Sequence, residues 1–183
     1  MISSKIMWIV SGPTCVGKSY FLWNKKDRLS EITNLPSFEG GVEAGAFKAI
    51  DCDEIYESRK KNICVHMEVL GVKGQQEQGA AYHTKWEWLS ELKTRKSVII
   101  LGVPYSEYKV RVISRDGIIS ENNRRDGTYY RKKGPRLQSH TQILELYKNW
   151  IGELNKKEIP YFLVESFEDY KILEDEDFFR MLK

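Results

Sequence analysis

The sequence predicts an α/β fold, in which a mostly parallel sheet carries helices on both faces. Short apolar runs alternate with amphipathic stretches along the 183 residues, and this alternation is typical of strands that are joined by helices. The run at 97–103, SVIILGV, is almost continuously apolar, as expected for a strand that is buried on both faces. A glycine-containing segment also separates the first apolar run from the first helical stretch.

The elements of the first half follow from these patterns in chain order. Residues 6–11 form the first predicted strand, and residues 18–29 form the first helix. The connection 33–45 is rich in glycine and polar residues, which argues against a helix there. Residues 47–50 read as a second short strand, and the composition of residues 53–62 is that of a helix.

The second half begins with an ambiguous segment, residues 63–79, and a helical stretch, residues 80–93. After the strand at 97–103, residues 137–157 predict a long amphipathic helix, because their apolar residues recur every three or four positions. Residues 159–166, IPYFLVES, supply a final strand. The acidic C-terminal stretch then forms a closing helix.

Length and composition predict a single domain over residues 1–183. Residues 1–10 are too short for the apolar region and cleavage site of a signal peptide, so we expect a cytoplasmic protein. No segment approaches the roughly 20 apolar residues that span a bilayer, so we expect no membrane partner. Three cysteines without Cys-x-x-Cys spacing argue against a disulfide framework and against a zinc site. The net charge of +3 is too small to indicate nucleic-acid binding by itself.

Residues 12–19, GPTCVGKS, match the pattern G-x-x-x-x-G-K-S between a strand and a helix. The glycines permit a tight turn that points backbone N–H groups inward, and the helix start adds a positive dipole end. Lys18 adds a mobile charge, and the hydroxyl of Ser19 suits Mg²⁺. The segment therefore predicts a bound nucleoside triphosphate with Mg²⁺, contacted by Gly12, Pro13, Thr14, Cys15, Val16, Gly17, Lys18, Ser19 and Tyr20.

The sequence resembles the P-loop kinases in four features. These are the loop at 11–19, the DCD sequence after strand 47–50, the strand at 97–103 and the basic stretch that follows that strand. The resemblance is to the shikimate, gluconate, nucleoside and polynucleotide kinases in particular. It implies a P-loop NTPase three-layer sandwich, with a lid insertion at about 105–136 and ATP as the donor of a phosphoryl group to a hydroxyl. The loop also looks like that of the adenylate and tRNA isopentenyltransferases, which leaves prenyl transfer as an alternative.

Phosphoryl transfer needs a carboxylate beside the loop, to accept the acceptor's proton or to orient metal-bound water. Asp51 and Asp53 end a predicted strand, whose carboxyl end lies beside the loop in a parallel sheet. In the kinases that this sequence resembles, an Asp-x-Asp here serves the acceptor and the metal, so Asp51 joins Ser19 as a candidate Mg²⁺ ligand. Asp53 can alternatively cap the following helix. No acid ends the strand at 97–103, which disfavours a GTPase or a motor ATPase.

The segment after that strand is basic and predicts a lid. A kinase must stabilise negative charge on the transferring group and exclude water, so arginines on a mobile segment are expected. The segment contains Arg111, Arg115, Arg124, Arg125, Arg131, Lys132, Lys133 and Arg136. We select Arg124, Arg125 and Arg131 as the catalytic lid residues, with a basic solvated loop as the alternative.

Tyr129 and Tyr130 stand between basic residues, a combination that holds a nucleic-acid backbone and stacks a base. The predicted acceptors therefore include nucleic acid as well as nucleosides and nucleotides. Phage kinases that phosphorylate a hydroxymethylated pyrimidine within DNA would be a similar case. A nucleotide-dependent nucleic-acid-binding module without transfer activity is a further alternative.

Overall fold

The computed structural model describes residues 3–36, 40–43, 63–66, 93–125 and 137–183. These residues contain, in chain order, β1 (Ser3–Ser11), α1 (Lys18–Asn24), α2 (Lys26–Thr33), β2 (Gly40–Glu43), β3 (Ile63–His66), β4 (Thr94–Gly102), α3 (Tyr105–Arg125), α4 (His140–Lys156), β5 (Tyr161–Glu165), β6 (Ile172–Leu173) and α5 (Asp175–Met181). The predicted strand at 47–50 and the predicted helices at 53–62 and 80–93 lie outside the described residues, except for Lys93.

The strands form a six-stranded sheet in the order β2-β3-β1-β4-β5-β6. All neighbouring pairs are parallel except β5 and β6, which are antiparallel. The chain therefore has the predicted α/β architecture, a mostly parallel sheet flanked by helices. Because β1, β3, β4 and β5 run in one direction, their carboxyl ends meet at one edge of the sheet, where ligands bind in open α/β folds.

The core of the described residues centres on β1 and β4. Residues 6–10 of β1 and residues 98–101 of β4 are almost completely buried. Helix α4 adds an apolar face that includes Tyr147, whose hydroxyl donates a hydrogen bond to the Leu101 carbonyl at 2.7 Å. Phe178 of α5 meets the Tyr147 ring edge-on at 5.2 Å. The carboxyl end of β4 therefore packs against residues of both α4 and α5.

Besides the two-residue strand β6, which the sequence analysis did not predict, three elements differ from the prediction. The helix expected at 18–29 is divided at Lys25, whose φ of −128° is not helical, into α1 and α2. Strand β2 lies inside the connection 33–45, where the structure adds the strand through parallel pairing with β3. The first part of the expected lid, residues 105–125, forms helix α3.

The reason for the third difference lies in the surface of α3. Val110 and Ile113 are 58% and 62% exposed, so the apolar residues of this helix do not keep to one buried face. A periodicity argument depends on such a face. The remaining lid residues, 126–136, lie outside the described part of the chain.

Candidate functional site

The segment 12–19 forms the turn between the carboxyl end of β1 and the start of α1. Its backbone is left-handed or otherwise positive in φ at three positions, Gly12 (147°), Cys15 (72°) and Gly17 (95°). A Cβ atom on Gly12 would lie 2.7 Å from Val16 Cγ2 and 2.8 Å from the Leu101 carbonyl oxygen. Glycine is therefore required at position 12 by its conformation and by the close approach of β4.

Lys18 is the first residue of α1 and is only 5% exposed. Its Nζ donates hydrogen bonds of 2.7 Å to the carbonyl oxygens of both Gly12 and Pro13. The ammonium group thus lies against the first carbonyls of the loop. The next two residues, Ser19 and Tyr20, are exposed, so the surface beside the loop carries a hydroxyl and an aromatic ring.

Helix α3 places two arginines against the loop. A guanidinium nitrogen of Arg111 lies 3.5 Å from the position that a Cβ on Gly17 would take. One turn later, Arg115 Nη1 lies 4.0 Å from the Cys15 sulfur. The Arg111 side chain is fixed by an ion pair with Glu107 at 2.6 Å. The loop is therefore bordered by positive charge from a helix that follows β4.

Ser166, directly after β5, connects the loop to the strand ends. Its hydroxyl lies 2.7 Å from the Val16 carbonyl oxygen and 3.1 Å from that of Gly102. Its backbone N–H donates to the same Gly102 oxygen at 2.8 Å. Arg111 Nη2 donates to the Ser166 carbonyl at 3.3 Å. One residue therefore contacts the loop, the end of β4 and the first arginine of α3.

Glu165 and Tyr170 flank this junction. Glu165 is 6% exposed; one of its carboxylate oxygens accepts the Glu168 backbone N–H at 3.0 Å, and the other has no hydrogen-bond partner among the described residues. The Tyr170 ring stacks on Phe21 of α1 at 5.7 Å. Burial raises the pKa of the Tyr170 hydroxyl, and the nearby Arg111 opposes that shift. The 165–170 turn thus packs directly against α1.

The carboxyl end of β4 carries no acid, and its packing explains why. A Cβ on Gly102 would lie 2.6 Å from the Phe178 ring. Any side chain here would displace the ring that closes α5 over the sheet. Within the described ranges, no group of three or more His, Cys, Asp or Glu side chains is arranged to hold a metal ion.

The predicted site residues are distributed unevenly with respect to this loop. Asp51, Asp53 and Arg131 lie outside the described residues. Arg124 and Arg125 end helix α3. Since an α-helix rises 1.5 Å per residue, Arg124 lies about 20 Å farther along the axis than Arg111. The structure instead brings Arg111 and Arg115 to the loop. Both belong to the basic stretch that predicted the lid, but neither was among the three arginines selected as catalytic.

Two residues at the site, Glu165 and Ser166, were not predicted. The sequence signal that would have found them is a polar pair at the carboxyl end of an apolar strand, in LVES. That position becomes informative only once β5 is known to run parallel to β4, two strands away from β1.

Comparison with known proteins shows the fold and no family. No family model matches the sequence, and no curated protein matches it. A solved structure from the PezAT chromosomal toxin–antitoxin system of Streptococcus pneumoniae is similar in fold, with a TM-score of 0.50 and 8% sequence identity. The match covers 96% of this chain and 73% of that chain. Among the described helices, none is long and apolar enough to cross a membrane.

Proposed function

We propose that this protein is a P-loop kinase, which uses ATP and Mg²⁺ to phosphorylate a hydroxyl group of a nucleoside, a nucleotide or a nucleic acid. The observation that carries the proposal is the loop 12–19 itself, positioned between the central strand β1 and helix α1 and bordered by Arg111 and Arg115. Its positive-φ positions and the helix start that follows suit the binding of phosphate oxygens. We accordingly propose that the sheet is that of a P-loop NTPase.

The donor phosphates would be held by the backbone of residues 12–19 and by the Lys18 ammonium. Lys18 already contacts the loop through two carbonyls, so a rotation of its side chain toward the phosphates exchanges these neutral acceptors for anionic ones. Hydrogen bonds to charged acceptors are about twice as strong as neutral ones. Ser19, exposed at the second position of α1, would ligate Mg²⁺.

The transfer step requires compensation of charge and a proton acceptor. Arg111 and Arg115 border the loop beside Gly17 and Cys15, and they would supply positive charge to the bound phosphates. Mg²⁺ would supply further charge neutralisation between the phosphates. Asp51 or Asp53 remains our candidate for the base that takes the proton of the acceptor hydroxyl. Arg124, Arg125 and Arg131 remain candidates for a lid that closes over the acceptor.

The decisive test is replacement of Lys18. We expect Lys18→Ala to lose nucleotide binding and phosphoryl transfer, because the ammonium is the only side-chain charge contributed by residues 12–19. Lys148→Ala, which removes an exposed lysine from α4, is the matched control and should bind like the wild type. Binding is measured as stabilisation against heat by Mg·ATP, which grows with ligand concentration over Kd.

Transfer is measured with γ-labelled ATP against nucleosides, nucleotides, small hydroxylated metabolites, and DNA with ordinary or hydroxymethylated bases. A labelled acceptor in the wild type and none in Lys18→Ala is the expected result. A folded Lys18→Ala variant with full activity would refute the proposal. Nucleotide binding without any labelled product would instead indicate a binding module, and a prenylated adenylate from an isoprenoid diphosphate would indicate prenyl transfer.

A further inference from the structure

Ser166 lies outside the sequence motif, yet its side chain reaches into the loop. It is 1% exposed, and its hydroxyl is 2.7 Å from the Val16 carbonyl oxygen, 150 residues away in sequence. The second oxygen within reach belongs to Gly102 at 3.1 Å and already accepts the Ser166 backbone N–H. A hydroxyl carries one proton. The shorter contact, to Val16, is therefore the bond that this side chain adds.

This bond determines how one peptide group of the loop is oriented. A trans peptide is planar, so the C=O of Val16 and the N–H of Gly17 point in opposite directions. Because Ser166 draws the Val16 carbonyl toward the ends of β4 and β5, the Gly17 N–H points away from those strand ends. Gly17 has a φ of 95° and no side chain that could restrict its rotation. The orientation of this peptide thus depends on a contact outside the loop.

Ser166 is itself held in place from two sides. Its N–H is bonded to Gly102 at the end of β4, and its carbonyl accepts Arg111 Nη2 of α3. The same arginine approaches Gly17. The serine is therefore fixed relative to the sheet before it contacts the loop.

We infer that Ser166 is a positioning residue for nucleotide binding: its hydroxyl holds the Val16–Gly17 peptide so that the Gly17 N–H is directed at the donor phosphates. The part of this role that concerns the phosphates rests on the proposed function. The control of loop conformation by Ser166 is independent of any ligand. A substrate-binding group that is oriented in advance loses less freedom on binding, so removal of the hydroxyl weakens nucleotide affinity without removing a direct contact.

The test compares Ser166→Ala with Ser97→Ala. Ser97 is a matched control, because it is also buried, at 2% exposure, in β4, and its hydroxyl has no hydrogen-bond partner among the described residues. Hydrogen exchange is first measured without nucleotide. We expect faster exchange of the backbone amides of residues 12–19 in Ser166→Ala only, with unchanged exchange in residues 6–10 of β1 as the internal reference.

The Kd for Mg·ATP is then measured for both variants and the wild type. We expect Ser166→Ala to raise it by up to about tenfold, the upper range of what one intramolecular hydrogen bond contributes, because the Gly17 N–H is then no longer oriented in advance. Ser97→Ala should leave the Kd unchanged. If Ser166→Ala does not fold, Ser166→Cys, which keeps the size of the side chain but only a weak donor, replaces it in both measurements.

The outcomes separate the two proposals. Unchanged exchange at residues 12–19 in the Ser166 variant would overturn the positioning role, whatever the nucleotide result. Equal acceleration in residues 6–10 would also overturn it, because the hydroxyl would then support the whole sheet. A wild type that binds no nucleotide refutes the kinase proposal and the phosphate-directed part of this inference, while the exchange comparison still decides whether Ser166 controls the loop.

Discussion

At the scale of single residues, the loop depends on positions where only one residue type fits. Gly12 is constrained twice, by its φ of 147° and by the Leu101 carbonyl 2.8 Å from where a Cβ would be. Backbone atoms cannot move aside as a flexible side chain can. The glycine of the sequence motif is therefore explained by β4, which is remote in sequence.

We expect Gly12→Ala to lower the free energy of unfolding by about 1–3 kcal/mol, the usual cost of forcing atoms into a packed site. Nucleotide binding should be lost as well. Gly152→Ala is the control, since nothing lies within 4 Å of a Cβ at this helical position. It should stabilise the protein by up to about 1 kcal/mol, because alanine is the better helix former. Urea unfolding measures both, and equal effects of the two substitutions would contradict the packing seen at Gly12.

At the scale of elements, α4 shows when a helix is predictable. Its six buried residues, Ile143, Leu146, Tyr147, Trp150, Ile151 and Leu154, recur at helical spacing, and the observed bounds, His140–Lys156, lie within the predicted 137–157. Helix α3 buries Tyr108 and Val112 but exposes Val110 and Ile113, so its pattern is weaker, and it was not predicted as a helix. The division of the first helix at Lys25 and the short strand β2 were also missed, because both depend on contacts with other elements.

The start of α4 carries a capping box that can be tested alone. The Ser139 hydroxyl accepts the Gln142 N–H at 3.2 Å, and the Gln142 side chain accepts the Ser139 N–H at 2.8 Å. We expect Ser139→Ala to lower thermal stability, by a free energy of about 1 kcal/mol. Ser114→Ala, at an exposed position within α3, should change it little. A melting temperature that falls equally for both would show that the cap contributes nothing.

At the scale of the whole molecule, α4 and the sheet are joined by the buried Tyr147 hydroxyl, which donates to Leu101. Burial, reinforced by Tyr108, raises the pKa of this hydroxyl well above its ordinary value. In the unfolded chain the hydroxyl ionises near its ordinary pKa of about 10. Above that pH the unfolded state loses a proton that the folded state keeps, so stability falls as pH rises.

Tyr147→Phe isolates this contribution. At about pH 8 the wild type should be more stable than the variant by about 1–2 kcal/mol, the worth of the hydrogen bond. This advantage should shrink by about 1.4 kcal/mol for each pH unit above 10, until the folded-state pKa is reached. Burial lowers the pKa of Lys96, and this shift makes stability rise with pH. The Lys96 contribution is the same in the wild type and in the variant, so it cancels in the comparison. An advantage that is constant between about pH 8 and pH 11 would contradict the prediction.

The sequence by itself determined the α/β class, the strand at 97–103, the amphipathic helix at 137–157 and the position of the loop 12–19. Each of these is encoded locally, in periodicity, in continuous apolarity or in a spacing of glycines. The tertiary structure alone decided which residues surround the loop. Ser166 and Arg111 reach the loop because β5 ends, and α3 begins, at the edge of the parallel sheet where the loop lies. The order of strands in a sheet results from contacts between residues that are far apart in sequence.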